Sequence, residues 1–235
     1  MMEGLSAWQS VWVDQHTTQA EMHAFRMVET QHIAATMRLV DSAAEQNLLE
    51  QMLEGSKPPL PPSTQGQHYL LTAPFRYFPR TGSRFRAAGT SGIWYGADHP
   101  FAACAEIGYW RQRFLLDSAG LVRQSVSTEL SMFEAKVSGL AVDLMSPPWN
   151  LSQEVWQHPQ DYTQTQRLGA LVREHGGVSW MRYGSVRAPG HVCAAVFDPH
   201  SLSMITPQGR YEQWHCQVVS DKVTFSNGRV RYDFL

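Results

Sequence analysis

Lysine is scarce in this 235-residue sequence. Lys57, Lys136 and Lys222 are the only lysines among 19 Lys and Arg residues, which leaves 16 arginines. Cysteine is also sparse: Cys104, Cys193 and Cys216 follow no disulfide or metal-ligand spacing, which excludes a cysteine-stapled scaffold and points to a reduced, intracellular setting. An excess of one charge is missing too. With 21 acidic and 19 basic residues the net charge is -2, which argues against a protein that grips nucleic acid by bulk electrostatics. No apolar run approaches the roughly 18 residues that span a bilayer. The N-terminus has neither the basic start nor the apolar core of a signal peptide, so a cytoplasmic protein with no membrane contact is expected.

Familiar chemical motifs are absent as well. The sequence contains no GxGxxG fingerprint, P-loop, G-x-S-x-G elbow, HExxH or CxxC. Its ten histidines are scattered rather than set at ligand spacing, so no metal site is expected. What remains is a chain 43% hydrophobic and 17% charged, apolar enough to fold around a sizeable core.

Residues 17–54 contain few glycines or prolines and many strong helix formers, and they are predicted helical, as one long helix or two. Pro58, Pro59, Pro61 and Pro62 then form a stiff connector. The division is a helical N-terminal extension over 1–55, a proline-rich connector over 56–66 and the main domain over 67–235. The extension either serves as an interaction element or covers one face of the main domain.

From Gln67 the texture changes to short segments with turn signals. Tyr69 to Leu71 and the segment SGIWYGA read as strands. PFAACAEIGYWRQRFL reads as a helix with Pro100 in its first turn and Asp98 as its cap. STELSMFEAKVSGLAVDLM supplies one or two strands, the stretch after Asp161 a helix ending at Gly176, and VSWMRYGSV, HVCAAVFDP, YEQWHCQVVS and NGRVRYDF further strands. Without a clean βα repeat, a mixed α+β domain fits.

Four of the arginines, Arg76, Arg80, Arg84 and Arg86, fall within eleven residues, in a segment that continues through an aromatic strand into a helix of small apolar residues carrying one carboxylate, Glu106. A carboxylate among Ala102, Ala103, Cys104, Ala105 and Ile107 needs partners. Nearby arginines supply them either as a structural ion pair or as part of a site for an anionic, phosphorylated ligand. Further along, Ser185 stands after Gly184 between Arg182 and Arg187. Read by itself it is a turn residue, with no adjacent His and Asp to make it a hydrolase nucleophile.

Together, RFRAAGTSGIWYGA, HPFAACAEIGYWR and RYGSVRAPGHVCAAVFDP resemble the RES-domain family, named for its Arg, Glu and Ser residues. The resemblance runs over about residues 67–200. It implies an ADP-ribosyltransferase-like fold, a mixed split β-sheet with flanking helices. It also implies a toxin paired with a Xre-type antitoxin, touching nucleic acid only through that partner, with homodimerisation left open. NAD+ is then a substrate rather than a resident cofactor, and its nicotinamide–ribose bond is cleaved by hydrolysis or phosphorolysis. The alternatives are mono-ADP-ribosylation of a cellular protein and an inactive interaction module.

On this resemblance Arg76 matches the early family arginine, and Arg84 or Arg86 the arginine of the Gly-rich segment, with Arg86 fitting the RxxG spacing to Gly89. Tyr95 matches the family tyrosine, Glu106 the helix glutamate and Ser185 the late serine. Glu106 stabilises positive charge on the ribose or orients water, Arg76 and Arg86 hold the pyrophosphate, and Tyr95 shapes the nicotinamide pocket. Ser185 positions ribose or nicotinamide by hydrogen bonding.

Overall fold

The computed structural model describes residues 8–30 and 39–235. Its organising element is one long strand, β3 (Val126–Asp143). Along one edge β3 pairs antiparallel with β1 (Thr18–Glu29), in unbroken register from Thr18 opposite Ala141 to Glu29 opposite Leu130. The other edge takes three partners in succession. It meets β7 (Glu212–Val219) over 126–132, then β6 (Leu202–Met204), then β4 (Trp180–Gly184), the last in parallel. That succession splits the sheet.

One branch leaves through β7 to β8 (Lys222–Ser226) and β9 (Arg231–Phe234). The other runs from β4 to β5 (Val192–Val196) and β2 (Trp94–Ala97), which returns to β1 at the single pair Phe25 opposite Ala97. The mixed, split sheet flanked by helices agrees with the fold expected from the sequence. β4, β5, β7 and β9 fall within the segments expected as strands, β6 and β8 lie outside them, and the block 126–143 is one strand rather than two.

The predicted helix over 17–54 is corrected at 18–29. Ala20, Met22 and Ala24 alternate onto one core while Phe25 and Met27 pack on the other, so pairing with β3 overrides the helix propensity of Ala, Glu and Met. Ahead of it lies a short turn of helix, α1 (Trp12–Gln15). The part of the expectation on residues 31–38 lies outside the described residues. Helix α2 (Ala43–Ser56) does form, capped by Ser42 Oγ accepting from the Glu45 amide.

A second correction concerns residues 69–71, which belong to helix α3 (Tyr69–Arg76) and not to a strand. His68 Nδ1 accepts from the Leu70 amide at its start, and Leu70, Leu71 and Phe75 form a helical face. That face packs on Ala24, Trp94, Phe133, Trp180 and Val196, one from each strand of the ring β1–β2–β5–β4–β3.

The opposite side of the sheet carries α4 (Pro100–Asp117), as predicted. Its cap, however, is His99, whose Nδ1 accepts from the Phe101 amide. Asp98 instead accepts from the Val192 amide and contacts His191 Nδ1 at 3.0 Å, joining the start of α4 to β5. Ala102, Ala105 and Gly108 are buried, small residues that let α4 lie close to the strands. A short helical turn α5 (Gln153–Trp156) and helix α6 (Thr163–His175) complete the layer. Among the described residues no helix is long and apolar enough to cross a membrane.

Candidate active site

The segment between α3 and β2 carries the arginines and is held by α6. Gln166, Gly169 and Arg173 share a face of that helix at i, i+3 and i+7. Gln166 Nε2 donates to Ser83 O at 3.0 Å, and Arg173 Nη2 donates to Ser91 O and Gly92 O at 2.6 and 3.0 Å. Between them, Gly169 lets the helix approach so closely that a Cβ there would sit 2.0 Å from Phe85 O. The segment turns at Gly89, whose φ of +73° suits glycine.

The four sequence arginines take different parts. Arg86 is buried and donates to the carbonyls of Pro79, Thr81 and Ala87, so its guanidinium braces the loop from within. Arg76 pairs with Glu54 of α2 at 2.7 Å and donates to Pro58 O, tying the helical extension and connector to α3. Arg80 lies on the exposed part of the same loop. Arg84 differs. It lines a cavity of about 240 Å³, donates from Nη1 to Trp156 O and His158 O at 2.9 Å each, and sits 4.7 Å over the Tyr162 ring.

Tyr95 and Glu106 line that cavity together with Arg84, while Arg76 and Arg86 do not. The Tyr95 hydroxyl is 2.9 Å from Ser83 Oγ and accepts from the Phe85 amide, so β2 fixes the arginine loop through one phenol. Burial raises the Tyr95 pKa, against the opposing pull of these hydrogen bonds.

Glu106 enters from α4 beside Cys193 of β5. Ser185 Oγ donates to Glu106 Oε1 at 2.7 Å and itself accepts from the Ala188 amide at 3.0 Å. The Cys193 thiol approaches the same oxygen at 4.0 Å. Burial, followed by the charge of Glu106, pushes the Cys193 pKa well up and keeps that thiol protonated as a donor. Oε2 takes no hydrogen bond, and Glu106 makes no ion pair, among the described residues. Of the two arrangements the sequence left open, the structural ion pair with an arginine is absent among the described residues, its place taken by a hydroxyl and a thiol, and the carboxylate keeps one oxygen for the cavity.

Ser185 is buried beside Glu106 and is not part of the cavity lining, and its hydroxyl is bonded to the Glu106 carboxylate.

Sequence reasoning missed four further lining groups. Tyr183 and Cys193 face the cavity from β4 and β5, at alternating positions within segments already read as strands. Trp110 lies one turn beyond Glu106 on α4. Arg26 enters from β1, which the helical reading of that segment concealed. The lining thus combines two arginines, aromatic walls and Glu106, its one carboxylate among the described residues. Among those residues, no cluster of three or more His, Cys, Asp or Glu is placed to hold a metal ion.

Comparison with known proteins gives two findings. The family model for the RES domain matches residues 60–218. The crystal structure of the M. tuberculosis MbcT–MbcA toxin–antitoxin complex is similar at 11% identity over 91% of this chain and 94% of that chain, with a TM-score of 0.49. No curated protein matches the sequence.

Proposed function

The chain belongs to the RES-domain family, and from that premise we propose that it is a toxin-type enzyme that cleaves the nicotinamide–ribose bond of NAD+. The observation that carries the reading is the Glu106 carboxylate, oriented by Ser185 at 2.7 Å and presented to a cavity that also holds Arg84 and aromatic walls.

Departure of nicotinamide breaks the C1′–N bond, and the bonding pair leaves with the ring nitrogen. The pyridinium becomes neutral, and positive charge develops across C1′ and the ribose oxygen. A fixed carboxylate beside that ribose stabilises the charge without reorganising during the reaction. Water adding at C1′ gives ADP-ribose, nicotinamide and one proton. Inorganic phosphate adding there gives nicotinamide and ADP-ribose 1″-phosphate.

Arg84 supplies positive charge for the dinucleotide, and its carbonyl contacts and the Tyr162 ring hold it in place. Tyr95 and Tyr183 shape the nicotinamide end. The family also suggests neutralisation by a protein antitoxin of the Xre type, which would cover the cavity mouth.

The test is nicotinamide release from NAD+ by the purified, partner-free protein, compared with Glu106→Gln. Release by the wild type and its loss in the variant supports the reading. Equal release by both removes Glu106 from the reaction. Label from NAD+ retained on protein in a cell extract, in place of free ADP-ribose, would make the enzyme an ADP-ribosyltransferase.

A further inference from the structure

Among the described residues, Arg26 is a cation without an anion. It lies on β1, N-terminal to the residues that the RES-domain model matches. Its Nη1 donates to Tyr95 O at 2.6 Å, and its guanidinium stands 5.4 Å over the Trp94 ring. Its Nε is buried with no hydrogen-bond partner, and among the described residues no carboxylate pairs with it. Withdrawal from water draws its pKa down to about 10. A guanidinium so placed is costly unless an acceptor arrives from outside.

Its position shows where that acceptor would sit. β1 and β2 meet at only one pair, Phe25 opposite Ala97, so no ladder bonds join the two strands beside Tyr95, where the Arg26 side chain lies. Arg26 lines the Glu106 cavity on one side of this seam. It also lines a second cavity of about 410 Å³ on the other side, bounded by α3, β1 and the start of β7. The second cavity offers the rings of Tyr69, Tyr77 and Tyr211 and the polar ends of Thr30, Ser131 and Gln213. Thr30 Oγ1 and Ser131 Oγ lie 2.9 Å apart, and Gln213 reaches both, so these donors and acceptors form one organised edge. Aromatic faces beside such an edge suit a purine nucleoside.

We propose that Arg26 binds the phosphates of the dinucleotide at the β1–β2 seam, with the nicotinamide riboside half in the Glu106 cavity and the adenosine half in the second cavity. This rests on the NAD+ reading above and deepens it by assigning both ends of the substrate. It makes β1, outside the matched family region, part of the binding site.

AMP probes the proposed half-site separately from catalysis. In wild-type protein, AMP should raise the melting temperature and inhibit NAD+ cleavage competitively. Arg26→Met should raise the KM for NAD+ and weaken AMP inhibition by on the order of tenfold to a hundredfold, with kcat changed far less. Arg26→Lys should recover part of that loss. Ala73→Trp, which fills the second cavity from α3, should abolish AMP binding without touching Arg26.

Unaltered AMP affinity in folded Arg26→Lys and Ala73→Trp proteins would overturn the proposal, whether or not Arg26→Met folds. The two readings fail separately. A wild type that binds AMP through Arg26 but releases no nicotinamide retains the half-site and loses the reaction. One that cleaves NAD+ with KM indifferent to both positions retains the reaction and loses the half-site.

Discussion

Ser185 Oγ lies 2.7 Å from Glu106 Oε1, joining the turn after β4 to the middle of α4 across 79 positions of sequence. Because Ser185 also accepts from the Ala188 amide, its hydroxyl proton is directed at the carboxylate. Losing a hydrogen bond to a charged group costs about 1.5–3 kcal/mol. Ser185→Ala should therefore lower kcat for nicotinamide release by roughly 10- to 100-fold, with KM for NAD+ little changed. A covalent adduct on Ser185 detected by mass spectrometry would replace this positioning role with a nucleophilic one.

The arginines should separate in kinetics as they do in space. Arg84→Met removes a cavity-lining charge and should raise KM for NAD+ by on the order of tenfold. Arg76→Met breaks the link to Glu54 and the connector, and should leave KM at the wild-type value while lowering thermal stability. Arg86→Met empties three carbonyl contacts inside the loop and should mainly lower the melting temperature. A large KM increase for Arg76→Met would return that residue to the substrate.

Gly169→Ala tests how α6 supports the loop. The added methyl would meet Phe85 O at 2.0 Å, a backbone atom that moves only with the arginine segment. Overpacking of this kind costs roughly 1–3 kcal/mol, which corresponds to a melting temperature lowered by about 2–12 °C at this chain length. If the variant melts like the wild type, the close approach of α6 to the loop is wrong.

Cys104, Cys193 and Cys216 are free and buried, and burial raises the pKa of each above the ordinary thiol value of 9.0. The folded chain therefore keeps protons that the unfolded chain gives up near pH 9. Their stabilising contribution is complete below that pH. It declines as pH rises toward the folded values, which for Cys216 is about 11. Melting temperature should fall between pH 9 and 11, with a shallower slope in Cys216→Ala. At pH 8 a thiol reagent should find almost no reactive sulfur in native protein and three after denaturation.

The carboxylate, the tyrosine and the helix that presents Glu106 were legible in the sequence because each is a local matter. Small residues at helical spacing after Pro100 specify α4, and a single acid among them is conspicuous. The choice among arginines was not legible. Arg84 and Arg86 are two residues apart in one strip of sequence, and only the packing of α6 and the carbonyls at 156 and 158 determines which one reaches the cavity. The helix reading of 18–29 failed for a related reason. Ala, Glu and Met at those positions favour helix in isolation, and the partner that makes them a strand lies more than 100 residues away. Ser185 was found, but its partner Glu106 could not be inferred from neighbouring residues.

The long pairing of β1 with β3 also sets an order of events during synthesis. β1 is made early, yet it has no ladder until residues 130–141 have left the ribosome. The ring that shapes the cavity closes only when β5, bearing Cys193, joins β2 and β4. Contacts this distant in sequence form late and slowly. A nascent chain shorter than about 200 residues thus has no formed cavity, and any chemistry that depends on the cavity begins only when translation is nearly finished.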